Sequence, residues 1–277
     1  MQKKHLKLAH SPDPDDAFMF WALAKNKIDS GPYEFEHILS DIQTLNERAK
    51  EGAYEISAIS FYAYPGIADR YALLGCGSSM GDNYGPMVVA RGDRKGRPLS
   101  DFKIAIPGKQ TTAYLALQLY EKKLNTVVIP FDEIIPAVIE GKVDAGLIIH
   151  EGQLTYAKAG LQKWVDLGEW WHERHGLPLP LGGNVIRRDL GEKAMSEIAG
   201  LLKKSIEAGL EHRDEAVKYA LTFGRGLDLG LADRFIGMYV NSLTVDYGER
   251  GRKALRVLFD EAEEAGLLPK VSLDFVQ

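Results

Sequence analysis

Two short segments of this chain echo each other across its middle. Tyr84-Gly85-Pro86-Met87-Val88-Val89-Ala90-Arg91 and Gly182-Gly183-Asn184-Val185-Ile186-Arg187-Arg188 both run small residues, then an apolar stretch, then arginine. Each reads as a buried strand. Strand and helix signals alternate both before the first segment and between the two, which argues an α/β protein. A middle unit bracketed by two such strands fits a chain that crosses twice between lobes. The expected architecture is therefore a two-lobed, hinge-connected binding fold with a cleft between its halves. The division this implies is a larger lobe from residues 1–90 plus 188–277 and a smaller α/β lobe from residues 91–187. A length of 277 residues suits two lobes of ordinary size.

The element signals are local. Leu6–His10 is a short strand stopped by Pro12 and Pro14. The spacing then predicts a helix from Asp15 or Asp16 through Phe18, Met19, Trp21 and Leu23 toward Lys27, with the acids suited to its N-terminus. Tyr33–Leu39 alternates like a half-buried strand, Ser40 and Asp41 cap a helix through Leu45, and Glu55–Ser60 is a further strand. Tyr62–Tyr71 is expected to be helical. In the middle unit Lys103–Ile106 is a strand ending in Pro107-Gly108, and Thr111 or Thr112 caps a helix over Ala113–Lys123. A strand at Val127–Ile129, a helix at Glu133–Glu140 and a buried strand at Ala145–Ile149 follow. From Glu192 the pattern is mostly helical, over residues 192–208, 213–222, 231–239 and 250–265. This tail is expected on the larger lobe, whose N-terminal unit is the shorter of the two.

Composition closes off several classes. Hydrophobic residues are 45% of the chain, enough to build cores, so disorder as the main state is excluded. The net charge is −5 with no basic face, which argues against a nucleic-acid binder, although helix ends can still hold small anions. Cys76 is the single cysteine, so no intrachain disulfide or thiolate cluster can form. The seven histidines show no His-Glu-x-x-His or similar spacing, so no metal is expected. No long apolar run follows Lys3 and Lys4, and no span approaches eighteen apolar residues, so a cytoplasmic protein without a membrane partner is expected.

Few positions carry chemistry. His150 ends an apolar strand, and ligands of open α/β sheets bind beyond the carboxyl ends of strands. A histidine there can exchange a proton near neutral pH; the alternative is a structural histidine bonded to a loop carbonyl. Pro107-Gly108-Lys109-Gln110-Thr111-Thr112 lies between a strand and a helix, where N–H groups and hydroxyls bind carboxylate or phosphate oxygens. The alternative there is ordinary capping, and the P-loop pattern is missing. Ser11-Pro12-Asp13-Pro14-Asp15-Asp16 offers three carboxylates for acid/base work or hydroxyl binding, or else a capped helix start. Ser60 could line a cleft, but no Gly-x-Ser-x-Gly elbow surrounds it. Trp164, Trp170 and Trp171 are expected to pack rather than to bind.

Taken together, several of these segments resemble a known family. The pieces are Ser11-Pro12-x-Pro14-x-Asp16-x-Phe18, Asp41-Ile42-Gln43-Thr44-Leu45-Asn46, Pro107-Gly108-x-x-Thr111-Thr112-Ala113-Tyr114, Gly146-Leu147-Ile148-Ile149-His150-Glu151, Val165-Asp166-Leu167-Gly168-x-Trp170-Trp171 and Gly176-Leu177-Pro178-Leu179-Pro180-Leu181-Gly182. In order and over most of the chain, they resemble the 1,4-dihydroxy-6-naphthoate synthases of the futalosine route to menaquinone. The resemblance implies a periplasmic-binding-protein-like fold of type II used as an enzyme, a carbon–carbon lyase. It implies conversion of cyclic dehypoxanthinyl futalosine, a small-molecule carboxylate, with no metal or organic cofactor. It places the proposed base on His150 and substrate contacts on Ser60, Thr111 and Thr112; Asp16 and Asn46 of the matched segments, and Asp13 at an unmatched position of the first, are expected to complete the binding set. The family loop Ser-Pro-Cys-Pro-Asn-Asp-Thr-Phe differs here at Asp13, Asp15 and Ala17, and the added negative charge disfavours an anionic ligand unless a cation or proton offsets it. Two other readings remain open at this point: a sister enzyme like chorismate dehydratase, and a non-catalytic binding protein for a small carboxylate.

Overall fold

The computed structural model describes residues 3–223 and 227–276. The larger lobe expected from the sequence also includes residues 1, 2, 224–226 and 277, which lie outside the described residues. The chain begins with β1 (Lys4–His10), α1 (Pro14–Ala24), β2 (Tyr33–Leu39), α2 (Ile42–Lys50) and β3 (Ile56–Ser60). Short strands β4 (Tyr71–Leu74) and β5 (Ser79–Gly81) follow, then β6 (Met87–Ala90), β7 (Lys103–Ile106), α3 (Thr112–Tyr120), β8 (Asn125–Val128), α4 (Ile134–Ile139) and β9 (Ala145–Ile148). After α5 (Gly152–Thr155), β10 (Gln162–Asp166), α6 (Leu167–His175) and β11 (Leu179–Arg187), the tail is α7 (Glu192–Glu211), α8 (Arg213–Leu221), α9 (Leu229–Tyr239), α10 (Ser242–Val245), α11 (Gly248–Glu264) and β12 (Phe275–Val276).

These strands form two sheets. The first runs β12-β4-β11-β3-β1-β2, with β5 also paired to β11; the second runs β10-β6-β9-β7-β8. In the first sheet β1 is parallel to β2 and β3, whereas β11 runs antiparallel to β3, β4 and β5. In the second, β9, β7 and β8 are parallel, and β6 runs antiparallel to both its neighbours, β9 and β10. Both sheets therefore send the C-terminal ends of their parallel strands toward loops that carry the chemistry, as open α/β sheets do.

Sheet membership moves the crossings away from the expected edges at 90/91 and 187/188. The first echo strand, β6, already belongs to the second sheet, and the second, β11, lies wholly in the first. The crossings fall in the connections before these strands, residues 82–86 and 176–178. The reason is hydrogen bonding: Val88 and Val89 pair with Leu147 and Gly146, while Val185 pairs with Ser57 and Leu73. The echo thus marks the strands just after each crossing.

Local chemistry explains other departures. α1 begins at Pro14, one residue ahead of the expected acids, because proline suits the first helical position. It is buried on nearly every side, because α7, α8 and α9 cover the face turned away from the sheet. Gly209 of α7 lies against Phe18, and Ser205 Oγ donates to the Met19 carbonyl at 2.8 Å. Residues 62–71 are not one helix: a short 3-10 turn, Phe61–Gly66, ends at Pro65-Gly66 and the chain then extends into β4. β4, β5, β10 and β12 are too short for a periodicity to show. The tryptophans pack as expected: Trp171 is fully buried with Nε1 donating to the Pro178 carbonyl at 3.1 Å, and Trp170 meets Tyr120 edge to face.

Candidate functional site

A cleft between the two sheets encloses about 740 Å³ of empty space, its mouth included. Its wall brings together residues far apart in sequence: the β1–α1 loop, the end of β3, the start of α3, the tip of β9, and α9. Of the residues expected to act, Asp13, Asp16, Ser60, Thr111, Thr112 and His150 line it. Asn46 does not. It is fully buried behind the wall, where Nδ2 donates to Ser60 Oγ at 3.1 Å and to the Gln110 carbonyl at 3.3 Å, and Oδ1 accepts from Ser60 N at 2.8 Å. Its place is to hold Ser60 and to tie the first half to the second.

His150 follows β9 in the left-handed region, φ 58°, a conformation that strains a residue with a side chain by about 1 kcal/mol or more. The turn aims its imidazole into the cleft, where Phe131 packs against it edge to face at 4.7 Å. Nδ1 lies 3.1 Å from Asp13 Oδ2. Nε2 is buried and makes no hydrogen bond among the described residues.

The β1–α1 loop is organised around its acids. Ser11 Oγ donates to Asp13 Oδ2 in a very short contact, and Ser11 N donates to Asp16 Oδ2 at 2.8 Å. Burial, reinforced by the charge of Asp13, pushes the Asp15 carboxyl up to about 6, partly offset by His150. Burial and then Asp15 push Asp16 well above the usual carboxylate range. Ser79 Oγ reaches Asp15 Oδ2 at 3.4 Å. Burial thus favours the protonated form of Asp16 most, which opposes the build-up of negative charge in this loop.

The α3 start divides its two threonines. Thr111 is the N-cap: Oγ1 accepts from Tyr114 N and donates to the Gly108 carbonyl at 2.9 Å. Thr112 Oγ1 accepts from Tyr62 N at 3.2 Å, which leaves its proton available. The N–H groups of Thr112 and Ala113 belong to the first turn, which the helix itself cannot satisfy. They form the part of the cleft best suited to a carboxylate.

Sequence reasoning missed part of the wall. Gln153 stands one turn after His150 and accepts from Tyr239 OH at 2.8 Å across the cleft. Tyr239 and Phe235 come from α9, whose pattern announces only a packed helix. Asn184 lines the cleft beside Gly77, with Nδ2 bonded to the Gly77 carbonyl at 3.0 Å and Oδ1 buried without a partner. Ser11 also lines the wall, where its sequence position signals only the end of β1. Among the described residues no group of three or more His, Cys, Asp or Glu could hold a metal ion, and no helix is long and apolar enough to cross a membrane.

Comparison with known proteins gives this geometry a context. The profile of a family described as menaquinone biosynthesis matches residues 6–264. A 1,4-dihydroxy-6-naphthoate synthase of Thermus thermophilus is 42% identical over 262 residues, covering 95% of each chain. One of Streptomyces coelicolor is 37% identical over 283 residues, covering 99% of this chain and 98% of its own. Among solved structures, a protein of Archaeoglobus fulgidus superposes with a TM-score of 0.91 at 46% identity, covering 95% of this chain and 98% of its own. An alkanesulfonate-binding protein of Xanthomonas axonopodis superposes with a TM-score of 0.69 at 13% identity, covering 98% and 96%, and so shares the fold alone. A two-lobed, periplasmic-binding-protein-like α/β chain with this cleft, matched along nearly its whole length, belongs to the menaquinone-biosynthesis family.

Proposed function

We propose that the protein is a 1,4-dihydroxy-6-naphthoate synthase, a carbon–carbon lyase that converts cyclic dehypoxanthinyl futalosine by base-initiated cleavage. The observation that carries the reading is the left-handed His150, which presents a buried Nε2, without a partner among the described residues, to the cleft that the α3 N-terminus also lines. The names of the matched relatives, 1,4-dihydroxy-6-naphthoate synthases, support this reading.

The substrate's benzoate-type carboxylate is held by the first-turn N–H groups of α3 and the Thr112 hydroxyl, with Ser60 held in place by Asn46. That places the sugar-derived ring toward His150. Nε2 takes a proton from a ring hydroxyl. The O–H electron pair becomes the carbonyl of the sugar-derived fragment, which leaves as the adjacent C–C bond breaks, and the electron pair of that bond passes through the fused ring onto a ring oxygen as that ring becomes aromatic. His150 then returns the proton. No cofactor is required by this sequence of steps, and we assign the reaction to the cytoplasm as a biosynthetic step on a small carboxylate. Asp13 and Asp16 contribute to the ring-side wall.

The test is direct: incubate the purified protein with cyclic dehypoxanthinyl futalosine and follow 1,4-dihydroxy-6-naphthoate by mass spectrometry. Product formation supports the synthase. Tight binding without product would replace it with a carboxylate-binding protein, and turnover of chorismate instead would replace it with a dehydratase.

A further inference from the structure

The contact between His150 and Asp13 joins the two halves of the molecule at the reacting group, since Asp13 follows β1 of the first sheet and His150 follows β9 of the second. We propose that Asp13 is a positioning residue for His150, supplied by the opposite lobe, so that the base is complete only when the cleft is closed; this rests on His150 being the base.

Three observations carry the assignment. Asp13 occupies the N-cap of α1, with extended backbone at φ −108° and ψ 154°, yet its side chain makes no capping hydrogen bond. A capping aspartate stabilises its helix by about 1 kcal/mol, and this one forgoes that role. Its Oδ2 instead receives the Ser11 hydroxyl and faces His150 Nδ1 at 3.1 Å. Second, the Asp13 side chain is only 2% exposed and, among the described residues, its Oδ1 has no hydrogen-bond partner. A carboxylate buried so incompletely satisfied costs stability, and the cost is offset where the charge has a use. Third, the two ring nitrogens of His150 are differentiated: one meets a carboxylate and the other is bare in the cleft. A carboxylate at Nδ1 fixes the proton there and leaves the Nε2 lone pair for the substrate, and it stabilises the imidazolium that forms.

The closed arrangement is held by further contacts between the halves. Tyr239 OH donates to Gln153 Oε1 at 2.8 Å, and Gln110 N donates to Gln43 Oε1 at 3.2 Å. Among the described residues, charged groups beside His150 are Asp13 and Asp15 from the β1–α1 loop and its own neighbour Glu151. Phe131 covers its ring from the β8–α4 connection.

The test uses the full chain with Asp13→Asn, Asp13→Glu and His150→Gln. Asp13→Asn is expected to lower kcat by ~100-fold with KM within about threefold. The acidic limb of its kcat–pH profile should move to lower pH, and Asp13→Glu should recover part of the loss. Independently of any turnover, nitrogen-15 imidazole NMR, with His150→Gln used to assign the signal, should show a single tautomer protonated at Nδ1. That preference should disappear in Asp13→Asn. A mixed tautomer in the unaltered protein would overturn the proposal even if turnover is found. So would an Asp13→Asn enzyme with unchanged kcat and pH profile. Absence of naphthoate formation with the tautomer intact would overturn the functional reading and leave the pair standing.

Discussion

Thr111 and Thr112 are neighbours with the same side chain, and only the structure separates them. The Thr111 hydroxyl is fully used within the α3 cap, whereas Thr112 keeps a free proton toward the cleft. Thr111→Val should therefore cost about 1 kcal/mol in a urea titration, as lost caps do. Thr112→Val should raise KM several-fold, roughly the worth of one hydrogen bond, with kcat close to that of the unaltered protein. A kcat effect without a KM change in Thr112→Val would remove the carboxylate from α3. Asp15 makes a prediction of opposite sign to most acids. Burial holds its carboxyl at about 6 in the folded chain, so folding takes up a proton. Its contribution to stability is present at low pH and is lost as pH rises through about 6. Buried His10, pushed down to about 3 by burial and by His37, acts the other way, losing stability as pH falls below its ordinary range. The unaltered protein mixes both effects, so the useful quantity is a difference. Asp15→Asn minus the unaltered protein should gain stability by on the order of 2–3 kcal/mol between pH 4 and pH 6 and then level off. A flat difference across that range would mean that Asp15 titrates normally.

At the scale of elements, the first crossing segment, residues 82–86, is packed backbone to backbone against the start of α6. Leu167 N donates to the Pro86 carbonyl at 2.9 Å, and Asp166 caps α6 through Gly168 N at 2.8 Å and Glu169 N at 3.1 Å. A Cβ on Gly168 would overlap the Tyr84 carbonyl, and one on Gly85 would lie 2.9 Å from Gly168 N. Both clashes are with backbone, which cannot swing aside. Gly168→Ala should destabilise the protein by more than ~2 kcal/mol, as overpacking of a rigid contact does, measured by urea unfolding. Unchanged stability would show that this crossing is looser than the packing implies. The elements themselves were legible where the signal was strong: β3, β7 and β9 are apolar runs with turn residues after them, and His150 and Ser60 stand at their ends in the sequence as in the structure. The four-residue β4 and the two-residue β12 have no period to read. The crossings were misplaced because Val88 and Val185 look alike as strand residues, while their sheets are decided by partners 50 or more positions away in sequence.

For the whole molecule, function depends on the two halves meeting. Ser60 and Thr112 were found from local patterns, but the pairings that close the cleft, Asp13 with His150 and Tyr239 with Gln153, link positions with no local relation. Asn46 was assigned to the substrate for its motif, and only its burial shows that it bonds Ser60 and the Gln110 carbonyl instead. Tyr239→Phe removes the hydroxyl that ties α9 to Gln153 and leaves the amide oxygen unpaired. Its kcat/KM should fall about 3- to 10-fold, with a larger radius of gyration in small-angle scattering of the substrate-saturated protein; identical scattering and kinetics would show that this contact does not hold the cleft shut. The central claim, that the closed cleft is a catalytic site working through His150, is tested most directly by comparing the unaltered protein with His150→Ala on cyclic dehypoxanthinyl futalosine, measuring kcat beside substrate affinity. The account predicts that His150→Ala binds the substrate within a few-fold of the unaltered protein while kcat falls by 10²–10⁴, the span of a lost general base. A His150→Ala enzyme that still forms 1,4-dihydroxy-6-naphthoate at close to the original rate would contradict it.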